Sequence, residues 1–216
     1  MDSNNLQSIL KSGDKDIFPK GLPVHAFDES KRLNLVTKGY IKRYLITDSG
    51  QQSIQVIYGP GDIFPLTPVY KLVFDQDLSS SRSGYYYETI MQTTAYSIHQ
   101  SQLAEYLDQE QGLYKDLLAV AGERLESNIQ RLDNMAIKGA GSRLAHLLIY
   151  LGKKFGQDIP EGIEIQLPLT HQTLAYCLNM ARETVSNEMA RLARKDLITN
   201  EKSIKILDAN KLQREV

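Results

Sequence analysis

The sequence THQTLAYCLNMARETVSNEMARLARKDLI at residues 170–198 predicts two short helices joined by a tight turn. Thr170 is a favourable N-cap residue, and the apolar residues Leu174 and Leu178 follow it at helical spacing. Asn179 comes next, and asparagine tolerates the left-handed backbone conformation that a sharp turn requires. The chain can therefore reverse direction at this point without a glycine.

The second helix is predicted to begin near Arg182, with Val185, Met189 and Leu192 as its inward stripe. A short helix with a polar free face, braced across a turn by another helix, has the form of a major-groove reader. The free face carries Glu183, Ser186, Asn187, Ala190, Arg191 and Arg194.

These residues resemble the helix-turn-helix of the Crp/Fnr family of bacterial transcription regulators. The resemblance lies in Leu-Ala at 174–175, Arg-Glu-Thr-Val-Ser at 182–186, Leu192, and Leu-Ile at 197–198. It implies a transcription regulator, an activator or a repressor, that binds double-stranded DNA. A pseudo-palindromic operator and RNA polymerase are the expected partners.

The composition favours a folded protein without catalytic chemistry. A chain of 216 residues with 42% apolar residues can form one large domain or two small ones. With a single cysteine, Cys177, the chain cannot form an internal disulfide. Cys177 is predicted to be a small buried apolar residue, and a redox switch is the alternative. No phosphate loop, metal-ligand pair or nucleophile elbow is present, and His25 and His99 are isolated. We therefore expect no enzyme activity, no cofactor and no metal site.

The lack of a long apolar run, the first residues and the charge distribution predict a cytoplasmic DNA-binding protein. No apolar run approaches the roughly 18 residues of a membrane helix, and the first residues lack the apolar core of a signal peptide. Residues 138–216 contain 12 Lys/Arg and 9 Asp/Glu, whereas residues 1–137 contain 13 and 17. Phosphate affinity is therefore expected in the C-terminal part, weak enough that specific contacts and dimerisation matter.

The N-terminal half is predicted to be an antiparallel β-roll that follows a short helix or loose segment. Short strand patterns are separated by turn residues at Lys38-Gly39, 48–50 and 59–62. The glycine-marked turns resemble those of the cyclic-nucleotide-binding roll that precedes the Crp/Fnr helix-turn-helix. The predicted strands cover 32–36, 40–46, 53–58 and 86–98, the last with a break.

The resemblance fails where the family binds cyclic nucleotides. Family members that bind them have a Gly-Glu pair after this turn, but Pro65 and Leu66 stand there. The backbone donors and the ribose-binding carboxylate are therefore missing, and Arg82-Ser83-Gly84 comes too late to replace the phosphate-binding triplet. We expect cyclic AMP to bind weakly or not at all, and the effector is unknown. The tyrosines of 67–87 either line a different pocket or are ordinary strand residues.

A helical period from 104 to 135 predicts a long dimerisation helix with two apolar faces. One face, with Leu113, Leu117, Val120 and Ile129, is expected to pack on the roll. Asn128 lies in the other face, where it either fixes the register of a dimer or touches an effector. The predicted homodimer seam contains Tyr114, Leu118, Ala121, Leu125, Asn128, Leu132 and Met135.

Gly139 and Gly141 predict a flexible hinge after this helix, and Ser142 is expected to cap the next one. A strand is predicted at 163–167, and a hairpin after the helix-turn-helix forms a wing. Lys202 at its tip either meets phosphate or is simply solvated. The expected α+β architecture thus has a β-roll at 1–105, a dimerisation helix at 106–138 and a winged helix-turn-helix at 139–216.

The DNA contacts are expected on the two helices and the wing. Arg182 suits the guanine edge and Glu183 accepts from cytosine, unless the two form an exposed ion pair. Asn187 favours adenine, whereas many relatives have arginine there, and Ala181 lacks the capping hydroxyl common at its position. His171 either holds phosphate or is an exposed residue of the helix start. The candidate DNA-binding residues are Thr170, His171, Gln172, Arg182, Glu183, Thr184, Ser186, Asn187, Arg191 and Lys202.

Overall fold

The computed structural model describes residues 4–23, 31–74, 85–199 and 202–216. His25 and the triplet at 82–84 lie outside the described residues. No described helix is both long enough and apolar enough to cross a bilayer. The chain divides into two compact units: one comprises Met1–Gly50 and Ile54–Leu125, and the other Gln51–Ser53 and Glu126–Val216.

Seven strands among the described N-terminal residues form the predicted antiparallel roll. They are β1 (Asp14–Phe18), β2 (Arg32–Lys38), β3 (Ile41–Ile46), β4 (Gln52–Tyr58), β5 (Ile63–Phe64), β6 (Tyr85–Thr89) and β7 (Thr93–His99). One sheet has the order β1-β7-β2-β5 and the other β4-β3-β6. The turn between β2 and β3 requires Gly39, because its φ is 85° and a Cβ there would lie 2.5 Å from the carbonyl oxygen of Gln92.

Two apolar clusters of described residues lie in this unit. The first lies among the strands and contains Val36, Ile41, Val56, Tyr58, Phe64 and Tyr87. The second joins β2, β5 and β7 to helices α1 (Asn4–Lys11), α3 (Gln100–Gln109) and the start of α4 (Gly112–Ala136). Its residues include Leu6, Leu10, Leu33, Leu35, Ile98, Leu103, Leu113 and Leu117.

Helix α2 (Thr67–Phe74) was missed by the sequence analysis. Pro68 lies in its first turn, where proline is favoured because the missing amide hydrogen has no helical partner. Tyr70 is therefore a helical residue, stacked on Phe74 with ring centroids 6.1 Å apart. Of the tyrosines grouped with it, those at 85–87 do lie in a strand, β6.

The helical stretch predicted from 104 onward is two helices rather than one. Glu110, with φ −130° and ψ 88°, ends α3 before α4 begins. His99 caps α3: its amide donates to Oε1 of Gln102 at 3.0 Å, and its Nδ1 accepts from the amide of Ser101 at 3.2 Å. This histidine thus has a structural role at a helix start.

The C-terminal elements form a helical core with a small sheet. They are α5 (Ala140–Phe155), β8 (Gly156–Ile159), β9 (Gly162–Ile165), α6 (His171–Leu178), α7 (Arg182–Arg194), β10 (Ile198–Thr199), β11 (Lys205–Ile206) and α8 (Ala209–Gln213). The sheet order is β10-β11-β9-β8, so the predicted wing hairpin is confirmed. Strand β8 and helix α8 were not predicted, and Asn200 and Glu201 of the wing lie outside the described residues.

Two expectations about the start of α5 differ from the structure. The N-cap position is Gly139, with φ 92°, and the prediction that Ser142 caps the helix is wrong. Ser142 lies inside α5 and its hydroxyl donates to the carbonyl oxygen of Glu215 at 2.6 Å. Gly141 is also inside α5, where a Cβ would lie 2.4 Å from Nη2 of Arg191 and 2.5 Å from Oε2 of Glu188. Gly141 thus leaves room for the side chains of Arg191 and Glu188, and of the two glycines only Gly139 precedes the helix.

Candidate nucleic-acid interface

The turn between α6 and α7 has the geometry that the sequence predicts. Oγ1 of Thr170 accepts from the amide of Thr173 at 3.0 Å and so caps the start of α6. Asn179 ends the helix in the left-handed conformation, with φ 50° and ψ 52°. The amide of Met180 then donates to the carbonyl oxygen of Ala175 at 3.0 Å, which satisfies a carbonyl of the last turn.

Helix α7 has one buried face and one open face. Val185, Met189 and Leu192 are fully buried and face the core of this unit, which also contains Leu174 and Leu178 of α6. The predicted inward stripe is therefore confirmed. The exposed residues of α7 are Arg182, Glu183, Asn187, Ala190 and Arg194, and Thr184, Ser186 and Arg191 are half-buried.

A hydrogen bond connects the start of α6 to the open face of α7. Nδ1 of His171 lies 2.8 Å from Oγ of Ser186, and either atom can donate, depending on the tautomer of the ring. Thr170 is exposed and Gln172 half-buried beside His171. The structure thus brings the predicted phosphate-binding residues of α6 next to a predicted base-facing residue of α7.

Arg191 does not belong to this group of open side chains. Its Nε lies 2.6 Å from Oε2 of Glu188, and its Nη1 lies 2.7 Å from Oε2 of Glu215. Nζ of Lys195 contacts the other oxygen of Glu215 at 2.6 Å. The hydrogen bonds from Lys195 and then Arg191 hold the pKa of Glu215 below its ordinary value. Arg191 therefore connects α7 to the segment after α8.

This ion-pair network was missed by sequence reasoning. Glu188 precedes Arg191 by three residues, a spacing at which helical side chains meet, so that pair was within reach of the sequence. Glu215 is 24 residues from Arg191, and no local pattern indicates that contact. Arg143 makes another contact between distant residues that the sequence does not indicate. Its Nη2 donates to the carbonyl oxygen of Leu178 at 2.6 Å and supports the end of α6.

The wing is described on both sides of residues 200–201. Ile198 pairs with Ile206, and Thr199 pairs with Lys205. Lys202 is exposed, as a phosphate-binding residue has to be.

Cys177 on α6 was expected to be buried, but its side chain is only half-buried.

Similarity to known proteins extends over this unit and beyond it. A family model of the Crp-like helix-turn-helix domain matches residues 142–215. The chain is 27% identical over 199 residues to a CRP-like cAMP-activated global transcriptional regulator of Mycobacterium tuberculosis, a match that covers 91% of this chain and 85% of that protein. It is 25% identical over 173 residues to the global nitrogen regulator of Synechococcus elongatus, covering 79% and 74%.

Residues 142–215 belong to the Crp-like helix-turn-helix family. Solved structures show the same fold: FixK2 of Bradyrhizobium japonicum superimposes with a TM-score of 0.75 at 18% identity, covering 93% of this chain and 96% of that one. A CooA mutant of Carboxydothermus hydrogenoformans gives 0.73 at 20% identity, covering 96% and 89%. The chain is a DNA-binding transcription regulator and not an enzyme.

Helix α7 lacks a capping side chain at its start. Ala181 has the extended conformation of an N-cap, with φ −66° and ψ 143°, but provides no side-chain acceptor. Ala181→Ser is expected to raise the free energy of unfolding by about 1 kcal/mol, measured by urea denaturation.

The matched control is Ala190→Ser in the exposed middle of the same helix. There the hydroxyl cannot cap, and the lower helix propensity of serine is expected to cost about 0.5 kcal/mol. Equal effects of the two substitutions would mean that position 181 does not act as a cap.

Proposed function

We propose that this regulator acts as a homodimer that reads a pseudo-palindromic operator with one α7 helix per half-site. The observation that carries the proposal is the open polar face of α7, whose opposite face is fully buried against its own unit. Two such helices would enter successive major grooves about 34 Å apart. RNA polymerase is the proposed partner in transcription, and the cytoplasm the proposed location.

Base reading is assigned to the first turns of α7. Arg182 and Glu183 are exposed at its N-terminal end, the end that enters the groove in this class of module. The guanidinium of Arg182 suits O6 and N7 of guanine, and the carboxylate of Glu183 accepts from N4 of cytosine. Asn187, one turn further along, matches adenine, so the operator is expected to differ from that of relatives with arginine there.

Backbone contacts are assigned to the start of α6 and to the wing. Helix α6 begins with amides that have no helical partner, next to Thr170, His171 and Gln172. Lys202 adds a cation from the wing, and Thr184 and Ser186 complete the proposed set on α7. These contacts set the position of the module on DNA, whereas the α7 contacts specify sequence.

Glu183→Ala tests the base-reading role. The substitution is expected to remove the preference at one operator position and to weaken binding to the preferred site by roughly 1–3 kcal/mol. Binding to a panel of single-base operator variants, measured by fluorescence anisotropy, checks both effects.

The control for this experiment is Glu161→Ala, which removes the same charge from an exposed turn between β8 and β9. It should leave the preference intact. A uniform loss over all operator variants for Glu183→Ala would contradict base reading and indicate a general electrostatic effect.

The proposed dimer forms through the seam of α4. Leu118, Leu125 and Leu132 are 72%, 61% and 63% exposed, whereas Leu113 and Leu117 on the neighbouring face are buried. Burying one leucine side chain contributes about 1.5–3 kcal/mol, so a second copy of the helix is a favourable partner for this row. Asn128 is exposed in the same row, where it would fix the register of the pair. Ile129, predicted to pack on the roll, is 41% exposed.

Leu125→Glu is expected to convert the dimer into a monomer, since it would place two carboxylates in the seam. Sedimentation velocity gives the mass directly. Ile17→Glu is the control, because Ile17 is equally exposed at 61% but lies on strand β1 of the roll. A monomeric wild-type protein, or dimers of both variants, would contradict the proposed seam.

The proposed hinge lies at Gly139, just before α5, and no longer includes Gly141, which is inside the helix. Gly139 has φ 92°, a conformation open to glycine at little cost, and no atom of the described residues lies within 4 Å of the point that a Cβ would occupy. We propose that rotation here lets the C-terminal unit, residues 139–216 in the division proposed from the sequence, adjust to DNA. The roll at 1–105 and the helix at 106–138 would stay with the dimer.

We further propose that cyclic AMP does not control this protein. Pro65 has no amide hydrogen, and Leu66 has no carboxylate for a ribose hydroxyl, although the relative from M. tuberculosis is named as cAMP-activated. Titration calorimetry is expected to detect no binding of cyclic AMP at micromolar concentrations. A micromolar dissociation constant would overturn this proposal. The alternative function is a sensor whose DNA binding is switched by another small ligand or by redox state in the roll.

A further inference from the structure

A buried asparagine joins the end of α4 to the start of α5. Asn134 lies in the last turn of α4, and its Nδ2 donates to the carbonyl oxygen of Arg143 at 2.7 Å. The same nitrogen lies 3.2 Å from Nδ1 of His146. Both partners belong to the first two turns of α5. One side chain thus spans Gly139, where the hinge is proposed.

These two contacts fix the protonation state of the imidazole. The carbonyl oxygen of Arg143 can only accept a hydrogen bond, so the atom that faces it is the amide nitrogen of Asn134 and not the amide oxygen. The second hydrogen of that nitrogen is available to Nδ1 of His146, and a ring nitrogen that accepts carries no proton. The ring is therefore neutral, with its hydrogen on Nε2.

The surroundings of His146 favour this neutral form. Burial lowers the pKa of the imidazole below the ordinary histidine value, Asp133 on α4 opposes the shift, and Lys153 on α5 adds to it. Within the described part of the chain, these two are the charged groups that act on the ring. The ring is only half-buried, so protons can reach it from solvent.

Other charged groups at the start of α5 are engaged elsewhere. Arg143 directs its guanidinium to the end of α6, where Nη2 donates to the carbonyl oxygen of Leu178 at 2.6 Å. Glu215, which follows α8, accepts from Arg191 at 2.7 Å and from Lys195 at 2.6 Å. Arg143 thus receives the contact from α4 on its backbone and passes it to the helix-turn-helix through its side chain.

Protonation of His146 is incompatible with this arrangement. An imidazolium carries a hydrogen on both ring nitrogens, so Nδ1 would face the amide nitrogen of Asn134 as one donor against another. Asn134 would have to rotate away. The carbonyl oxygen of Arg143 would then lose its partner as well, because a single amide group makes both contacts.

We propose that Asn134 and His146 form a latch across the hinge, closed while His146 is neutral and opened by its protonation. His146 is a positioning residue here, since it acts on the helix-turn-helix through Asn134 and Arg143. The end of α4 is grouped with the C-terminal unit, as a closed latch requires. The inference rests on the hinge of the proposed function and adds a pH response to it.

The sign of the pH response follows from the lowered pKa of His146. A histidine with a lowered pKa in the folded protein contributes its full stabilisation above the ordinary value of about 6.5. That stabilisation is lost as the pH falls below this value, because the open form then binds the proton more tightly. The latch is therefore closed at neutral pH and weakened in mild acid.

NMR and hydrogen exchange of the full-length protein without DNA test the latch. Proton–nitrogen spectra show which ring nitrogen of His146 carries hydrogen. Exchange of the Arg143 amide, which donates to the carbonyl oxygen of Gly139 at 3.2 Å, reports opening of the hinge. After correction for the intrinsic exchange rate, protection is expected to be roughly two- to tenfold lower at about pH 5.5 than at about pH 7.5. A neutral ring with its hydrogen on Nδ1, or protection independent of pH, would overturn the proposal.

Two variants separate titration from the hydrogen bonds. His146→Asn removes the titrating ring but keeps an acceptor, since Oδ1 of asparagine takes the place of Nδ1 at similar helix propensity. Protection of the Arg143 amide is expected to stay high at both pH values. Asn134→Leu removes both hydrogen bonds and is expected to give low protection at both. A wild-type pH response in His146→Asn would assign the titration to another group and overturn the proposal.

His99→Asn is the matched control. Nδ1 of His99 also accepts a hydrogen bond, but at the start of α3 in the other unit, where asparagine is a favourable cap. The pH response of the Arg143 amide is expected to equal that of the wild-type protein. Loss of the response in this variant would show that the effect does not come from His146 and would contradict the latch.

Operator affinity distinguishes this proposal from the DNA-binding proposal. His171, the other histidine of the C-terminal unit, is present in both the wild-type protein and His146→Asn, so its titration contributes equally to the two. The change in affinity between the two pH values is expected to differ between them by roughly two- to tenfold. An identical change would show that the latch does not position the helix-turn-helix and would overturn that role. Absence of operator binding in every protein would refute the DNA-binding proposal, whereas NMR and exchange would still decide the latch.

Discussion

The left-handed turn at Asn179 is the constraint on which the DNA-binding unit depends. It ends α6 one residue after Leu178 and redirects the chain so that α7 returns across the same core. Each fully buried leucine, valine or methionine in that core contributes about 1.5–3 kcal/mol, and these side chains fix which face of α7 remains open. Because Val185 and Met189 are buried in the core, the side of α7 that carries Arg182 and Glu183 faces the solvent.

Local patterns in the sequence were sufficient for the elements whose stability is local. The cap at Thr170, the turn at Asn179 and the stripe of α7 each depend on residues within a few positions of one another, and all are confirmed. The glycine-marked turns of the roll are recognisable for the same reason, since Gly39 has a conformation that other residues rarely adopt. The family resemblance then ordered these pieces into one architecture.

The remaining features depend on contacts between distant residues. Strand β8 has no apolar alternation of its own. It forms because β9 pairs with it in antiparallel register, with Gly156 opposite Ile165 and Ile159 opposite Gly162. Ser142 resembles a cap in sequence, yet its hydroxyl finds the carbonyl oxygen of Glu215. Gly141 resembles a hinge, yet the missing side chain makes room for Arg191 and Glu188.

The pairing of Arg191 and Lys195 with Glu215 affects how DNA binding depends on salt concentration. A protein that binds DNA gains free energy when its cations displace condensed counterions from phosphates, and only cations able to approach the backbone take part. Residues 138–216 contain twelve Lys and Arg side chains, but Arg191 and Lys195 pair with Glu215, and Lys211 pairs with Asp208 at 3.1 Å. These three cations are engaged within the protein, so each is expected to contribute little to counterion release and to the salt dependence of DNA binding.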